Sequence, residues 1–340
     1  MSALDISLFM SYAYICKHMT YVNITLILTE NLSSGKGSEM NGAPPMTFQN
    51  ESASELNASQ AGAVKLGDLT INRLGFGAMR LSTNGFQGPP RDPEAGRTVL
   101  RRAVELGVNH IDTAAFYQSL DGSVRANTLI REALYPYPSD LVIATKVGPV
   151  LGPNGPAQGT AADLRAAVED NLKTLGLSRL DLVYLRIGMM EPPYGESLAE
   201  RFEALAAMRE EGLIRHLGLS NVDTAHLAEA RAIAPVVAVQ NHFHIAKRDE
   251  VVVLGACMAD GIAFAPFFPL GGGRSDINDM RLATVAARHG ATLSQVALAW
   301  LLALSPVTLA IPGTGSLVHL EENIAAGLIT LTPEDIADLA

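Results

Sequence analysis

The 340-residue chain has only two cysteines, Cys16 and Cys257, far apart and in no CxxC pair. That excludes a disulfide-stapled scaffold and a cysteine-rich metal module, and makes a reducing cytoplasm the expected compartment. Dense Lys/Arg clusters are absent and the formal charge is −10, a poor match to nucleic acid or an anionic membrane surface as main partner. Any anionic ligand must therefore be held by a local pocket. A clean apolar run of membrane-spanning length is also missing. The moderately apolar residues 6–28 are broken by Lys17, His18 and Asn23 and lack the positive start and cleavage site of a secretory signal, so Asn23-Ile24-Thr25 is a chance glycosylation pattern. Finally there is no complete GxGxxG turn. Gly75-Phe76-Gly77-Ala78-Met79-Arg80 lacks the third glycine and is not closely followed by a helix, which argues against a doubly wound dinucleotide-binding sheet.

What is present is a globular composition, 48% apolar and 18% charged. Residues 31–60 are rich in Ser, Gly, Asn and Ala and read as a disordered lead. The first sixty residues are accordingly placed outside the fold, with Met40 and Met46 as alternative starts, and residues 61–340 form the folded domain. There, short β-branched runs alternate with amphipathic segments, the pattern of repeated βα units. A small hairpin is expected over 64–74, and strands at 74–79, 108–112, 141–146, 180–186, 214–220, 236–240, 262–267 and 307–311. Helices are expected at 93–106 behind the Asp92-Pro93 start, then at 124–134, 161–175, 198–211, 224–234, 250–260, 280–289, 293–304 and 317–326. Eight strands alternating with helices over roughly 275 residues suit an α/β fold, a (β/α)8 TIM barrel with a short N-terminal β-hairpin.

Barrel chemistry sits at the C-terminal ends of the strands. Here the strands end in Asp112, with Tyr117 five residues on, then Lys146, Arg186, Ser220-Asn221 and Gln240-Asn241. Each has a plainer reading: Asp112 as a cap, Lys146 reaching solvent, Ser220-Asn221 as turn residues. Their placement at the same end of successive strands argues for a site. Arg186 is the least ordinary, because an apolar run that ends on a full charge needs a reason for it.

From about Leu66 to its end the chain resembles the aldo-keto reductase superfamily. The resemblance rests on Gly107-Val108-Asn109-His110-Ile111-Asp112-Thr113-Ala114 with Tyr117, on Thr145-Lys146, Gly218-Leu219-Ser220-Asn221 and Val239-Gln240-Asn241, and on Ile311-Pro312-Gly313-Thr314 followed by His319-Leu320-Glu321-Glu322-Asn323. It implies a barrel that binds a nicotinamide dinucleotide without a Rossmann motif and reduces a carbonyl group. Tyr117 is implied as the proton donor, Lys146 as the cation that lowers the phenol's pKa, and Asp112 as the group that keeps the lysine charged and oriented. Ser220, Asn221 and Gln240 are implied to fix the nicotinamide carboxamide, and Phe267 to stack on its ring, although Phe267 also suits the barrel core. Leu270 and Gly271 open the loop Gly271-Gly272-Gly273-Arg274, which the resemblance places near the pyrophosphate and which otherwise reads as a flexible loop. Glu322 and Asn323 are implied to contact the adenine.

Two departures follow. Most of the family ends the fourth strand in a histidine that binds the substrate carbonyl, and this chain has Arg186. A guanidinium donates hydrogen bonds but does not exchange a proton near neutral pH, so the carbonyl is expected to be polarised by charge. The alternative is that Arg186 pairs with a loop carboxylate such as Glu191 and shapes the pocket mouth. A branch that includes pyridoxal reductases resembles this chain in that replacement, in Gly88-Pro89-Pro90 and in Pro266-Phe267-Phe268-Pro269-Leu270-Gly271-Gly272. An anionic or phenolic oxygen on the substrate, as in pyridoxal, suits the extra arginine. Second, relatives hold the NADPH 2′-phosphate with basic residues where this chain has Gly313 and His319. Thr314 and the amides of the next helix start still suit phosphate, so NADPH is expected, with NADH open.

His242-Phe243-His244 supplies two alternating histidines and no carboxylate at ligand spacing, so no metal is expected. Two rival functions are a slow, nicotinamide-binding regulatory module and a barrel isomerase or aldolase using Lys146 as a Schiff-base nucleophile.

Overall fold

The computed structural model describes residues 56–83, 88–152, 155–273 and 279–340. Most of the expected lead, with Cys16 and Asn23, lies outside these residues, as does Arg274. The unit that starts at Leu56 already includes the end of that lead. Asn57 caps a short 3-10 turn, Ala58–Ala61, and buried Ala58 donates its N–H to the Leu106 carbonyl at 2.8 Å.

β1 (Ala63–Leu66) and β2 (Leu69–Asn72) pair antiparallel as the expected hairpin. Seven parallel strands then neighbour one another in chain order: β3 (Phe76–Gly77), β4 (His110–Asp112), β5 (Val142–Val147), β8 (Leu180–Arg186), β9 (Ile214–Ser220), β10 (Val236–Gln240) and β11 (Ala263–Phe264). Between β5 and β8 lies an antiparallel hairpin, β6 (Pro149–Gly152) and β7 (Gly155–Gln158), where the sequence predicts only a loop. The expected eighth strand is not a ladder. Residues 307–311 close the ring through the single parallel bridges Leu74↔Ala310 and Phe264↔Thr308. Arg73 competes there, since its guanidinium donates to the carbonyls of Thr308 (2.8 Å), Leu302 and Ser305. The architecture is the (β/α)8 barrel the alternation predicts.

The helices are α1 (Met79–Ser82), α2 (Pro93–Glu105), α3 (Ala126–Leu134), α4 (Ala161–Leu175), α5 (Ala199–Glu210), α6 (Thr224–Ile233), α7 (Val251–Asp260), α8 (Met280–His289), α9 (Leu293–Leu304), α10 (Leu317–Ala325) and α11 (Pro333–Asp338). Their limits follow local chemistry. Asp92, Thr160, Asp223, Thr292 and Thr332 accept backbone N–H groups at the starts, and Gly176, Gly261 and Gly290 take the left-handed conformation that ends a helix. α1 and α11 are additions to the predicted elements. Among the described residues no helix is long and apolar enough to cross a membrane.

Strand alternation divides the core into two layers. Ile111, Val183, Leu185, Leu217, Leu219 and Val239 face the helices. Ala144, Leu182, Tyr184, Ala238, Ala263 and Ile311 fill the barrel, with Leu66 and Ile71 of the hairpin packed in the same cluster. The two glycines of the incomplete phosphate motif serve this packing. A Cβ at Gly75 would lie 2.8 Å from His110 Nδ1, and one at Gly77 only 2.6 Å from the Ile311 carbonyl. Gly75 thus lets the chain approach β4, and Gly77 lets β3 approach the closing segment.

Candidate active site

On β4, Ile111 faces outward, so Asp112 points into the barrel mouth; on β5, Lys146 does the same. Lys146 Nζ donates to Asp112 Oδ1 at 2.6 Å and to the Thr113 carbonyl at 2.8 Å, and both side chains are almost fully buried. The neighbouring outward residues anchor the strand ends. Thr113 donates to Asn127 Oδ1 on α3 (2.8 Å), Thr145 donates to Asn171 Oδ1 on α4 (2.7 Å), and Asn127 donates to Asn171 (2.9 Å). Asn127 and Asn171 were not legible as site residues, because helix periodicity marks them only as buried positions.

Tyr117 lies on the loop after β4, with Lys146 Nζ 4.8 Å from its ring centroid. Burial raises the phenol's pKa above its ordinary value, against the downward pull of Lys146 and Arg186. The net direction is opposite to the expected lowering, and it keeps Tyr117 protonated. For Lys146, burial alone favours the neutral amine, but Asp112 and Tyr117 outweigh it and hold the pKa above the usual lysine range.

Arg186 ends β8 at the same rim. Its Nη1 donates to Ser220 Oγ at 3.1 Å, its Nη2 donates to the Met189 carbonyl, and its Cζ sits 4.6 Å from the Phe267 ring centroid. Burial lowers its pKa. The alternative pairing with Glu191 does not occur, because Glu191 faces Lys247 at 3.4 Å. Phe267 is stacked on His242 (5.1 Å, 14°), so the histidine of the discarded metal pattern serves as an aromatic neighbour. Among the described residues no group of three or more His, Cys, Asp or Glu is placed to hold a metal ion.

These side chains border a cavity of about 560 Å³, whose lining includes Asp112, Tyr117, Lys146, Arg186, Gln240, Phe267, Leu270 and Gly313. Arg80 of α1 and the loop residues Phe116, Met189, Met190 and Phe268 complete it, and none of the five was singled out as a site residue. Arg80 donates to the Gly272 carbonyl at 2.7 Å, tying α1 to the glycine loop. Several expected residues stand outside this lining. Ser220 and Asn221 are buried behind Arg186, and Gly271 is buried in its loop. Thr314 is buried, its Oγ1 accepting from Ser316 N at 3.0 Å. His319 is exposed on the first turn of α10, Glu322 is half-buried on that helix, and Asn323 is on its buried side. The departure at Gly313 has a steric cause, since a Cβ there would lie 2.5 Å from the Gly77 carbonyl. Arg91, also unsignalled, reaches Gly315 O at 3.5 Å.

The polar groups behind the cavity show what a ligand must bring. Gln240 Nε2 donates to Asp112 Oδ2 at 2.8 Å, and its Oε1 is buried without a partner. Asn221, with φ +64°, donates both amide hydrogens to the carbonyls of Ile187 (2.9 Å) and Glu191 (2.8 Å). Ser220 Oγ accepts from Arg186 and keeps its own hydrogen. Gln240 Oε1, one Gln240 N–H and the Ser220 hydroxyl hydrogen thus remain for a polar ligand that carries both donors and acceptors, as a primary carboxamide does.

A parallel barrel with a buried lysine–carboxylate pair beside a tyrosine defines a class of carbonyl-transforming oxidoreductases. The aldo/keto reductase family matches residues 73–340, and the chain belongs to that family. It is 49% identical over 279 residues to pyridoxine 4-dehydrogenase of Escherichia coli, spanning 81% of this chain and 96% of the relative. It is 43% identical over 290 residues to an oxidoreductase of Schizosaccharomyces pombe, 84% and 92% of the two chains. Among solved structures, an aldo/keto reductase of Klebsiella pneumoniae in complex with NADP and acetate superposes with a TM-score of 0.67 at 26% identity, covering 82% of this chain and 93% of that one.

Proposed function

We propose that this protein is an NADPH-dependent carbonyl reductase that converts an aldehyde such as pyridoxal to its alcohol. The observation that carries the reading is the buried Lys146–Asp112 pair, 2.6 Å apart, set beside Tyr117 at the cavity. Similarity to pyridoxine 4-dehydrogenase supports the substrate, and the NADP-bound relative supports the cofactor. The substrate carbonyl oxygen lies between the Tyr117 hydroxyl and Arg186. A reduced nicotinamide, when bound, supplies the hydride. Gln240, which lines the cavity, and Ser220 and Asn221, buried at the neighbouring strand ends, would hold its carboxamide.

Tyr117 gives its hydroxyl proton to the carbonyl oxygen as that oxygen gains negative charge. The phenolate left behind is stabilised by Lys146 and Arg186 and regains a proton from water in the cavity. Arg186 acts only through charge and hydrogen bonds. Phe267, Leu270, Gly271, Gly313, Thr314, His319, Glu322 and Asn323 are proposed as the remaining cofactor contacts. The partner is a small carbonyl compound rather than nucleic acid, and the compartment proposed is the cytoplasm.

The test is oxidation of NADPH and of NADH by the purified protein with pyridoxal, a nitrobenzaldehyde and a simple ketone. NADPH turnover led by pyridoxal is expected. Cofactor binding without turnover of any carbonyl would instead favour the regulatory module.

A further inference from the structure

One cationic charge in the cavity lacks a counter-ion. Asp112 balances Lys146, while among the described residues Arg186 forms no ion pair, and Glu191 is turned to Lys247. Two of its five N–H groups are used, on Ser220 Oγ and the Met189 carbonyl, which fix the plane of the guanidinium and leave three donors. The Phe267 face at 4.6 Å offsets part of the charge. A half-buried cation without an anion is unfavourable, and the group that completes it must arrive with a ligand. The same cavity is lined by Phe116, Phe268, Met189 and Met190, flat or polarisable surfaces suited to a ring.

We propose that the preferred substrates are aromatic aldehydes carrying an ionised oxygen on the ring carbon next to the carbonyl-bearing one, and that Arg186 binds the two oxygens together. This rests on the carbonyl-reductase reading and names its substrate class. A planar guanidinium presents parallel donors that match two adjacent oxygens. In the neutral ortho-hydroxy aldehyde the hydroxyl is turned onto its own carbonyl; ionisation frees both oxygens to accept from Arg186. The phenolate keeps its charge throughout, while the carbonyl oxygen takes its proton from Tyr117. Pyridoxal has this arrangement of oxygens.

The experiment compares kcat/KM for benzaldehyde, 2-hydroxybenzaldehyde, 4-hydroxybenzaldehyde, 2-methoxybenzaldehyde and phenylglyoxylate, in the wild type and in Arg186→Met. It is paired with an absorbance titration of 2-hydroxybenzaldehyde by the cofactor-free protein below the free phenol's pKa. The ortho-hydroxy compound should lead its 4-hydroxy and 2-methoxy isosteres by roughly tenfold or more, the scale of a charge-assisted hydrogen bond. That lead should collapse in Arg186→Met, and the phenolate band should appear with the wild type alone. Equal rates in the wild type, an undiminished lead in the variant, or a preference for phenylglyoxylate would each overturn the proposal. If no carbonyl compound is turned over, the reductase reading fails by itself, and the phenolate band alone then decides the role of Arg186.

Discussion

At Tyr117 the chemistry is set by a balance between burial, which keeps the phenol protonated, and two cations, which make its anion accessible. Reduction needs the protonated phenol, so its rate falls as pH rises through the Tyr117 pKa. Arg186 lowers that pKa, and its removal must raise it. Arg186→Met should therefore move the alkaline limb of the kcat profile for benzaldehyde to higher pH while lowering kcat itself, as read from rates across the alkaline range. A limb that stays in place would mean that Arg186 does not act on the phenol. The residues in this balance were legible because each ends a strand or follows a recognisable motif. The bond from Gln240 to Asp112 was not, since it joins positions 128 residues apart and no periodicity encodes it.

At the scale of elements, one buried carboxylate ties the short C-terminal helix α11 to α8. Asp335 is fully buried; it accepts from Thr332 N and His289 Nε2, each at 2.8 Å, and also pairs with Arg288 on α8. Burial alone would raise its pKa, but His289, Thr332 and Arg288 together hold the carboxyl well below the usual range. A depressed carboxylate stabilises the fold above its unfolded pKa, near ~4, and loses that contribution as pH falls through the folded value. Asp335→Ala should cost about 2 kcal/mol in urea unfolding at neutral pH, with the gap to wild type narrowing under acid. A gap independent of pH would rule out the ionic part. The sequence missed this helix because six residues carry too little periodicity. The longer helices were readable from caps and terminal glycines, and β8, β9 and β10 have the predicted limits because apolar residues dominate each run and a polar residue ends it. Half of the residues in β6 and β7 are Pro or Gly, which locally signal a loop.

For the molecule as a whole, the barrel's floor and its site are one packing problem. The inward position beneath Arg186 on β8 belongs to Tyr184, itself the register partner of both Lys146 and Gly218. Gly218 is where the next strand makes room: a Cβ there would fall 2.6 Å from Tyr184 Cδ1 and 2.9 Å from the Ala238 carbonyl. The ring can be large because the neighbour is small, a compensation visible only once the strands are in register. Gly218→Ala should therefore destabilise by about 1–3 kcal/mol through overpacking. It should also push Tyr184 toward the layer that carries Lys146, lowering kcat without direct contact with substrate. In a Tyr184→Leu background part of the stability loss should disappear, because the smaller side chain removes the ring contact but not the one to Ala238. A double-mutant cycle in urea, with kcat measured alongside, checks both halves. Strict additivity of the two substitutions would show that Gly218 is required by the backbone alone and that Tyr184 does not transmit packing from the barrel floor to the site.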